Sequence, residues 1–202
     1  PESPVYQKGQ ILFGLPQARD AMNRLDEAIL VEGYLDQLRV FGAGFENVVA
    51  VAGTAFTPHQ AALLKRYVKR VILLFDGDRA GAAAAWKNAA PCLAAGLEVR
   101  VAALPEAHDP DSLIRDEGVG RFKELLDRAA GIVEYAGFGL LPRLGREETL
   151  RELVTLIKQV PDPIRRRLMI QESAEKFRFD EATLVRAVES NRSTELAVST
   201  PA

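Results

Sequence analysis

Two aspartates with one glycine between them close an apolar run in "RVILLFDGD" (residues 70–78). Val71 to Phe75 read as a buried strand, so Asp76 and Asp78 stand where that strand ends. Carboxylates this close repel, and an acid at the end of a buried strand must be protonated, paired or bound to a cation. Acids recur in the same way twice more. "AILVEG" (28–33) reaches Glu32, with Asp36 following in the next helix, and "VRVAALPEAHDPD" (99–111) leads to Asp109 and Asp111. Hard oxygen ligands of this kind suit Mg²⁺ or Mn²⁺. Mg²⁺ takes one or two carboxylates and keeps water or substrate phosphate in its other positions, so this set could hold a pair of ions. Two ions ~4 Å apart support an in-line phosphoryl transfer.

Each acid also has a plainer use. Asp78 or Asp111 could cap a helix N-terminus, and Asp36 could lie on a solvated helix face. Glu32 and Asp76, placed directly at strand ends, are harder to explain this way. Gly33 and Gly77 allow sharp turns beside the acids, with Gly77 expected at positive φ, and Gly81 is expected to let a helix pack closely on the sheet. Thr54 and Thr57 could present hydroxyls to the same rim.

These acids meet only if the strands are parallel. The strand-like runs "EAILVEG", "NVVAVAG", "RVILLFDGD" and "LEVRVAAL" alternate with helical ones, and they are continuously apolar. That pattern predicts a parallel sheet covered on both faces, with ligands at the carboxyl ends of its strands. The helices expected are 16–25, "YLDQLRVFGAG", "TPHQAALLKRYV" with Thr57 as N-cap, and an alanine-rich helix bent or interrupted near Pro91. From about residue 112 the strand signal disappears. A helix broken at Gly118 and Gly120 is followed by helices at about 132–144, 146–159, 162–178 and 180–191, the last capped by Asp180. The fold class predicted is α/β, a mostly parallel sheet flanked by helices, with a smaller all-helical part after it. Residues 1–15 read as extended and turn-rich, and 192–202 as a disordered tail.

Composition narrows the class. Of 202 residues, 48% are hydrophobic and 27% charged, and the net charge is −2, which does not advertise nucleic-acid binding. Cys92, the single cysteine, excludes an internal disulfide and a cysteine-based zinc site. No apolar run approaches membrane-spanning length and no signal peptide is evident, so a cytoplasmic address is expected. The start at Pro1, without methionine, reads as a segment cut from a longer protein.

"EGYLD" (32–36), "DGDRAG" (76–81) and "DPD" (109–111) resemble the acidic elements of a Toprim domain. "PESPVYQKGQILFGL" (1–15), "NVVAVAGTAFTPHQAALLKR" (47–66) and "DPDSLIRDEG" (109–118) extend the resemblance to bacterial DNA primases of the DnaG family. Residues 1–130 carry it by motif, and 131–190 by arrangement alone. Two positions depart from the family pattern: Val51-Ala52-Gly53-Thr54 replaces Ser-Leu-Gly-Thr, and Gln10 stands where a basic residue is common.

The resemblance implies a remnant of the preceding core subdomain at 1–24, the Toprim domain at 25–130, a helical subdomain at 131–191 and the tail at 192–202. It implies Glu32, Asp76 and Asp78 as principal ligands of two or more Mg²⁺ or Mn²⁺ ions and as catalytic residues. Asp109 and Asp111 would complete the cluster, with Asp36 close by, and there would be no zinc in this segment. Lys8, and Arg79 beside the acid pair, would meet nucleic acid or nucleotide. The implied reaction is nucleotidyl transfer from ribonucleoside triphosphates, making RNA primers on single-stranded DNA. The implied partners are template, primer, nucleotides and the replicative helicase, the last through a domain outside this chain, with the protein a monomer off the membrane. Two rivals stand beside this reading. One is a metal-binding core inert without its neighbouring segments. The other is a haloacid-dehalogenase-type phosphatase, which disagrees with Ala80 and gives "EGYLD" no role.

The remaining candidates read as ordinary surface or core. Lys65, Arg66, Lys69 and Arg70 read as a solvated face, as do "IRRRL" (164–168) and His59. His108 reads as a loop residue, Trp86 and Phe177 as core, and no tyrosine has a context that singles it out.

Overall fold

A computed structural model describes residues 8–51 and 55–190. The expectations for residues 1–7, for Thr54 and for the tail therefore lie outside the described residues.

Four strands, β1 (Glu27–Val31), β2 (Val48–Ala50), β3 (Arg70–Phe75) and β4 (Glu98–Ala103), run parallel in the order β2-β1-β3-β4. A fifth, β5 (Ala130–Gly131), adds antiparallel at the β4 edge, pairing Val101 with Ala130. That strand corrects the expectation of none beyond residue 112; two residues are too few to carry a hydrophobic period.

Alternation along the strands builds two cores. Ala28, Leu30, Val71, Leu73 and Phe75 face α1 (Leu15–Leu25), α3 (Pro58–Lys65) and α4 (Arg79–Ala94). Ile29, Val31, Ile72 and Leu74 face α2 (Tyr34–Gly42) and α5 (Pro110–Asp127), where Phe122 is fully buried. Each fully buried leucine on the sheet, such as Leu73 or Leu74, contributes about 1.5–3 kcal/mol by leaving water.

Thr57 caps α3 as expected, exchanging hydrogen bonds with Gln60, but the helix stops at Lys65 instead of continuing to Val68. The Gln60 amide, fully buried, donates to the carbonyls of Lys8 (3.0 Å) and Ile11 (2.6 Å), and the Thr57 hydroxyl donates to the Gly9 carbonyl at 2.6 Å. These bonds pin the 3₁₀ turn Lys8–Gln10 to the start of α3. Helix α4 passes through Pro91 without interruption. Proline in the final turn removes one backbone hydrogen bond, while buried Ala85, Ala89, Cys92 and Leu93 hold the helix on the sheet. Gly118 does break α5, with φ 85° and ψ 164°.

After β5 the chain is helical: α6 (Ile132–Tyr135), a π-helical stretch Ala136–Leu140, α7 (Leu141–Leu144), α8 (Arg146–Gln159), α9 (Pro163–Phe177) and α10 (Glu181–Glu189). Buried Leu153, Ile157, Ile170 and Leu184 from these helices join the cluster containing Leu73 and Leu93. Trp86, half-buried and not fully core as expected, donates from Nε1 to Glu152 at 2.9 Å and so links α4 to α8. Phe177 is core, as expected.

The basic residues before β3 are structural. Lys69 pairs with Asp26 at 3.0 Å, and Arg70 bridges Glu27 and Glu98 at the opposite end of the sheet from the acidic motifs. Among the described residues, no helix is long and apolar enough to cross a membrane.

Candidate functional site

The register of the parallel strands sets the acids side by side. Leu30 pairs with Leu73 and Phe75 with Ala103. Continuing these ladders carries Glu32 level with Phe75, and Asp76 level with Leu104, where the loop to Asp109 begins. Neighbouring strands stand about 4.8 Å apart, so three segments distant in sequence supply one rim.

Their charges act on one another. The Asp76 carboxyl is pushed up to about 6, first by partial desolvation at the strand end, then by Asp36, Glu32, Asp109 and Asp78 in that order. Asp76 is solvent-exposed, so crowding by like charge matters here as well as burial. Asp36 is also raised, chiefly by burial, against a lowering hydrogen bond from Gly33, with Asp109, Glu32 and Asp111 adding repulsion. Among the described residues, Glu32, Asp36, Asp76 and Asp78 have no salt-bridge partner within 4.0 Å. Asp111 does, at 3.4 Å from Arg39 and 3.8 Å from Arg115. Arg79 is exposed and forms no ion pair with Asp76 or Asp78, so it does not neutralise them.

Backbone hydrogen bonds aim these side chains. Asp78 caps α4, accepting from the Gly81 N–H at 2.7 Å. Asp109, not Asp111, caps α5, accepting from Ser112 at 2.6 Å, which holds its carboxyl below the usual range. Pro110 takes the first helical position and leaves Asp111 inside the first turn. Asp36 is half-buried, not a solvated-face residue, and accepts from the Gly33 N–H at 3.1 Å. Gly77 is required for space, not for the positive φ expected of it: a Cβ there would sit 1.9 Å from the Pro105 carbonyl oxygen. A Cβ on Gly81 would sit 2.1 Å from the Asp76 carbonyl oxygen, which explains the close approach of α4.

The donor set suits a divalent cation. Several carboxylates with uncompensated charge share one rim, and proton uptake by Asp76 near pH 6 is the alternative to a cation. Among the described residues, no three acidic, histidine or cysteine side chains form a ready-made cage. Mg²⁺ needs only one or two carboxylates when water or phosphate completes its shell. Lys8 stands near the same end of the sheet, since its turn is tied to the start of α3.

Two clefts flank the rim. One, of about 170 Å³, lies between Asp76, Asp78, Tyr135, Phe138 and Arg143. Tyr135 and Arg143 carried no signal in the sequence; they arrive through the π-helical stretch, and such stretches often occur at functional sites. The other, of about 460 Å³, lies on the α3–α4 side and includes Glu32, Lys87 and Asn88.

A parallel sheet with this acidic rim defines a Toprim-type domain, and a family model described as Toprim-like matches residues 29–114. A second model, described as the DnaB-helicase binding domain of primase, matches residues 145–182. The DNA primase of Aquifex aeolicus is 38% identical over 192 residues, covering 95% of this chain and 38% of that protein. The crystal structure of the zinc-binding and RNA polymerase domains of the Aquifex aeolicus primase superposes with a TM-score of 0.82 at 37% identity, covering 92% of this chain and 45% of that one. A DnaG primase catalytic domain bound to single-stranded DNA superposes with a TM-score of 0.77 at 32% identity, covering 91% of this chain and 61% of that one. The chain belongs to the bacterial DNA primase family. It spans well under two thirds of the curated relatives it matches. These matches favour the primase reading over the phosphatase one. The match at 145–182 corrects one expectation, since a segment bearing the helicase-binding description lies inside this chain.

Proposed function

We propose that this chain is the catalytic part of a primase that makes short RNA primers on single-stranded DNA. In the reaction a primer 3′-hydroxyl attacks the α-phosphate of a ribonucleoside triphosphate and pyrophosphate leaves. The observation that carries the proposal is the rim of Glu32, Asp36, Asp76 and Asp78, where partial desolvation and then the unneutralised charge of its neighbours lift Asp76 to about 6, in a chain similar to DNA primases.

Glu32, Asp76 and Asp78 would hold Mg²⁺ or Mn²⁺, with Asp109 and Asp111 completing the set and Asp36 adjoining it. Bound there, the ions would lower the pKa of the attacking hydroxyl and stabilise the pyrophosphate leaving group. The N-cap bonds of Asp78 and Asp109 hold those carboxylates before any ligand arrives, so little reorganisation is needed on binding. Arg79, exposed and free of ion pairs among the described residues, is placed to meet a phosphate beside the acid pair. Lys8 would meet template or nucleotide phosphate from the N-terminal segment.

Single-stranded template, primer and ribonucleoside triphosphates are the partners proposed, together with a replicative helicase met by residues 145–182. A cytoplasmic address and a monomeric state accompany this reading. The test is Mn²⁺ titration of wild type against Asp76→Ala and Glu32→Ala, paired with primer synthesis by the same variants in the full-length protein. Both variants should lose metal affinity and activity; retention of both would end the proposal. The isolated 202-residue chain should bind metal yet make little or no primer, because the segments that relatives carry outside this span are missing.

A further inference from the structure

Phe138 is 50% exposed, although Tyr135, against which it packs edge-to-face with ring centroids 5.3 Å apart, is buried. It belongs to the π-helical stretch Ala136–Leu140 and lines two clefts at once. The inner cleft, of about 170 Å³, begins at Asp76 and Asp78 and includes Arg143. The outer one, of about 310 Å³, includes Arg121, Arg128 and Glu134. Val101 and Ala103 also line both, so the two clefts join along β4 into one groove. Arg143 and Arg128 are exposed and have no ion pair among the described residues, whereas Arg121 is held by Glu117 and Glu124. An exposed arginine or an exposed phenylalanine is ordinary by itself. Here two uncommitted guanidinium groups and an exposed ring between them line a single groove that opens from the acidic rim.

We infer that this groove guides the unpaired template strand to the rim, with Arg143 and Arg128 on its phosphates and a base stacked on Phe138. The inner cleft is smaller than the about 300–1,000 Å³ of small-molecule sites, so it suits one stretch of a longer ligand. A guanidinium group is weakly hydrated and grips phosphate through two N–H groups. Stacking on an aromatic side chain needs a base whose face is uncovered, and a single strand offers such bases along its length. Template ahead of the primer end is unpaired, whereas the primer is paired, and that decides between the two strands. The inference rests on the proposed function for the identity of the strand.

The experiment measures binding of a labelled oligothymidylate of about 16 nucleotides to the 202-residue chain across a range of salt, in Mg²⁺ and in EDTA. Arg128→Ala and Arg143→Ala should each weaken binding about fivefold to tenfold at ~50 mM salt, and each should lower the slope of log affinity against log salt by about 0.7. Phe138→Ala should weaken binding about tenfold with the slope unchanged, and Phe138→Trp should retain affinity. Glu134→Gln should tighten binding. In the full-length protein on a primed template, 5-iodouracil placed in the template just ahead of the primer end should photocrosslink to Phe138. Absence of oligothymidylate binding by wild type, or wild-type affinity and slope in the Arg128, Arg143 and Phe138 variants, would overturn the inference. A lowered melting temperature with unchanged affinity in Phe138→Ala would do the same by making the ring structural, as would crosslinking to Phe138 from the primer in place of the template. Failure of the rim reading shows separately, as Mn²⁺ affinity unchanged by Asp76→Ala, while the EDTA arm reads the groove without metal.

Discussion

The Gly77 N–H donates to the His108 carbonyl at 2.9 Å, tying the turn between Asp76 and Asp78 to the loop that ends at Asp109. The acids after β3 and β4 are therefore held by one backbone joint. A Cβ on Gly77 would collide with the Pro105 carbonyl oxygen in that loop. Gly77→Ala should force the two segments apart, lowering stability by about 2 kcal/mol or more and weakening Mn²⁺ affinity at least tenfold. Chemical denaturation and metal titration of the same sample check both effects.

Asp78 has two separable uses. Its carboxylate caps α4, and asparagine caps about as well. Asp78→Asn should keep the melting temperature within about 2 °C of wild type while losing metal affinity. Asp78→Ala should lose both, with about 1 kcal/mol less stability. Equal metal binding by Asp78→Asn and wild type would remove this residue from the ligand set.

Acid and metal should compete at Asp76. Its folded-state value of about 6 lies above the ordinary 3.8, so in metal-free protein its stabilising term is fully present below about pH 4. That term is lost as the pH rises through 6. Asp76→Asn should therefore melt higher than wild type at pH 7–8 without metal, and the difference should vanish near pH 4. Solvent screening at this exposed site limits the gain to about 1 kcal/mol, or about 2–4 °C. Thermal melts of both proteins with EDTA across that range provide the check, and added Mg²⁺ should raise only the wild-type value.

Gln60 ties the Lys8–Gln10 turn to α3 from a fully buried position. Gln60→Ala removes the donor shared by the Lys8 and Ile11 carbonyls and empties a buried site, which should lower stability by about 2–3 kcal/mol. Residues 8–14 should then become the first point of proteolysis. Mass spectrometry of limited digests identifies that cleavage.

The parallel core was legible because its signals are strong and local. Apolar runs of five or six residues, Thr57-Pro58 at a helix start and acids at strand ends each have one dominant physical reading. What stayed hidden depended on neighbours distant in sequence. Nothing in the pair Ala130–Gly131 marks a strand until β4 offers it an edge. Pro91 suggested a break because proline opposes helix, but burial of Cys92 and Leu93 outweighs one missing hydrogen bond. Asp109 and Asp111 are one residue apart, and only Pro110 at the first helical position distinguishes the cap from the first turn. Lys87, Asn88 and Arg143 have no motif; they reach the clefts by the packing of whole helices.

Leu153, Ile157 and Ile170 share one apolar cluster with Leu73 and Leu93, so no polar seam separates the helices after β5 from the sheet. Melting should accordingly be a single calorimetric transition. Truncation after Gly131 would uncover α4 along its outer side and leave an insoluble remnant, so evolution could not readily shed or swap these helices as an independent module.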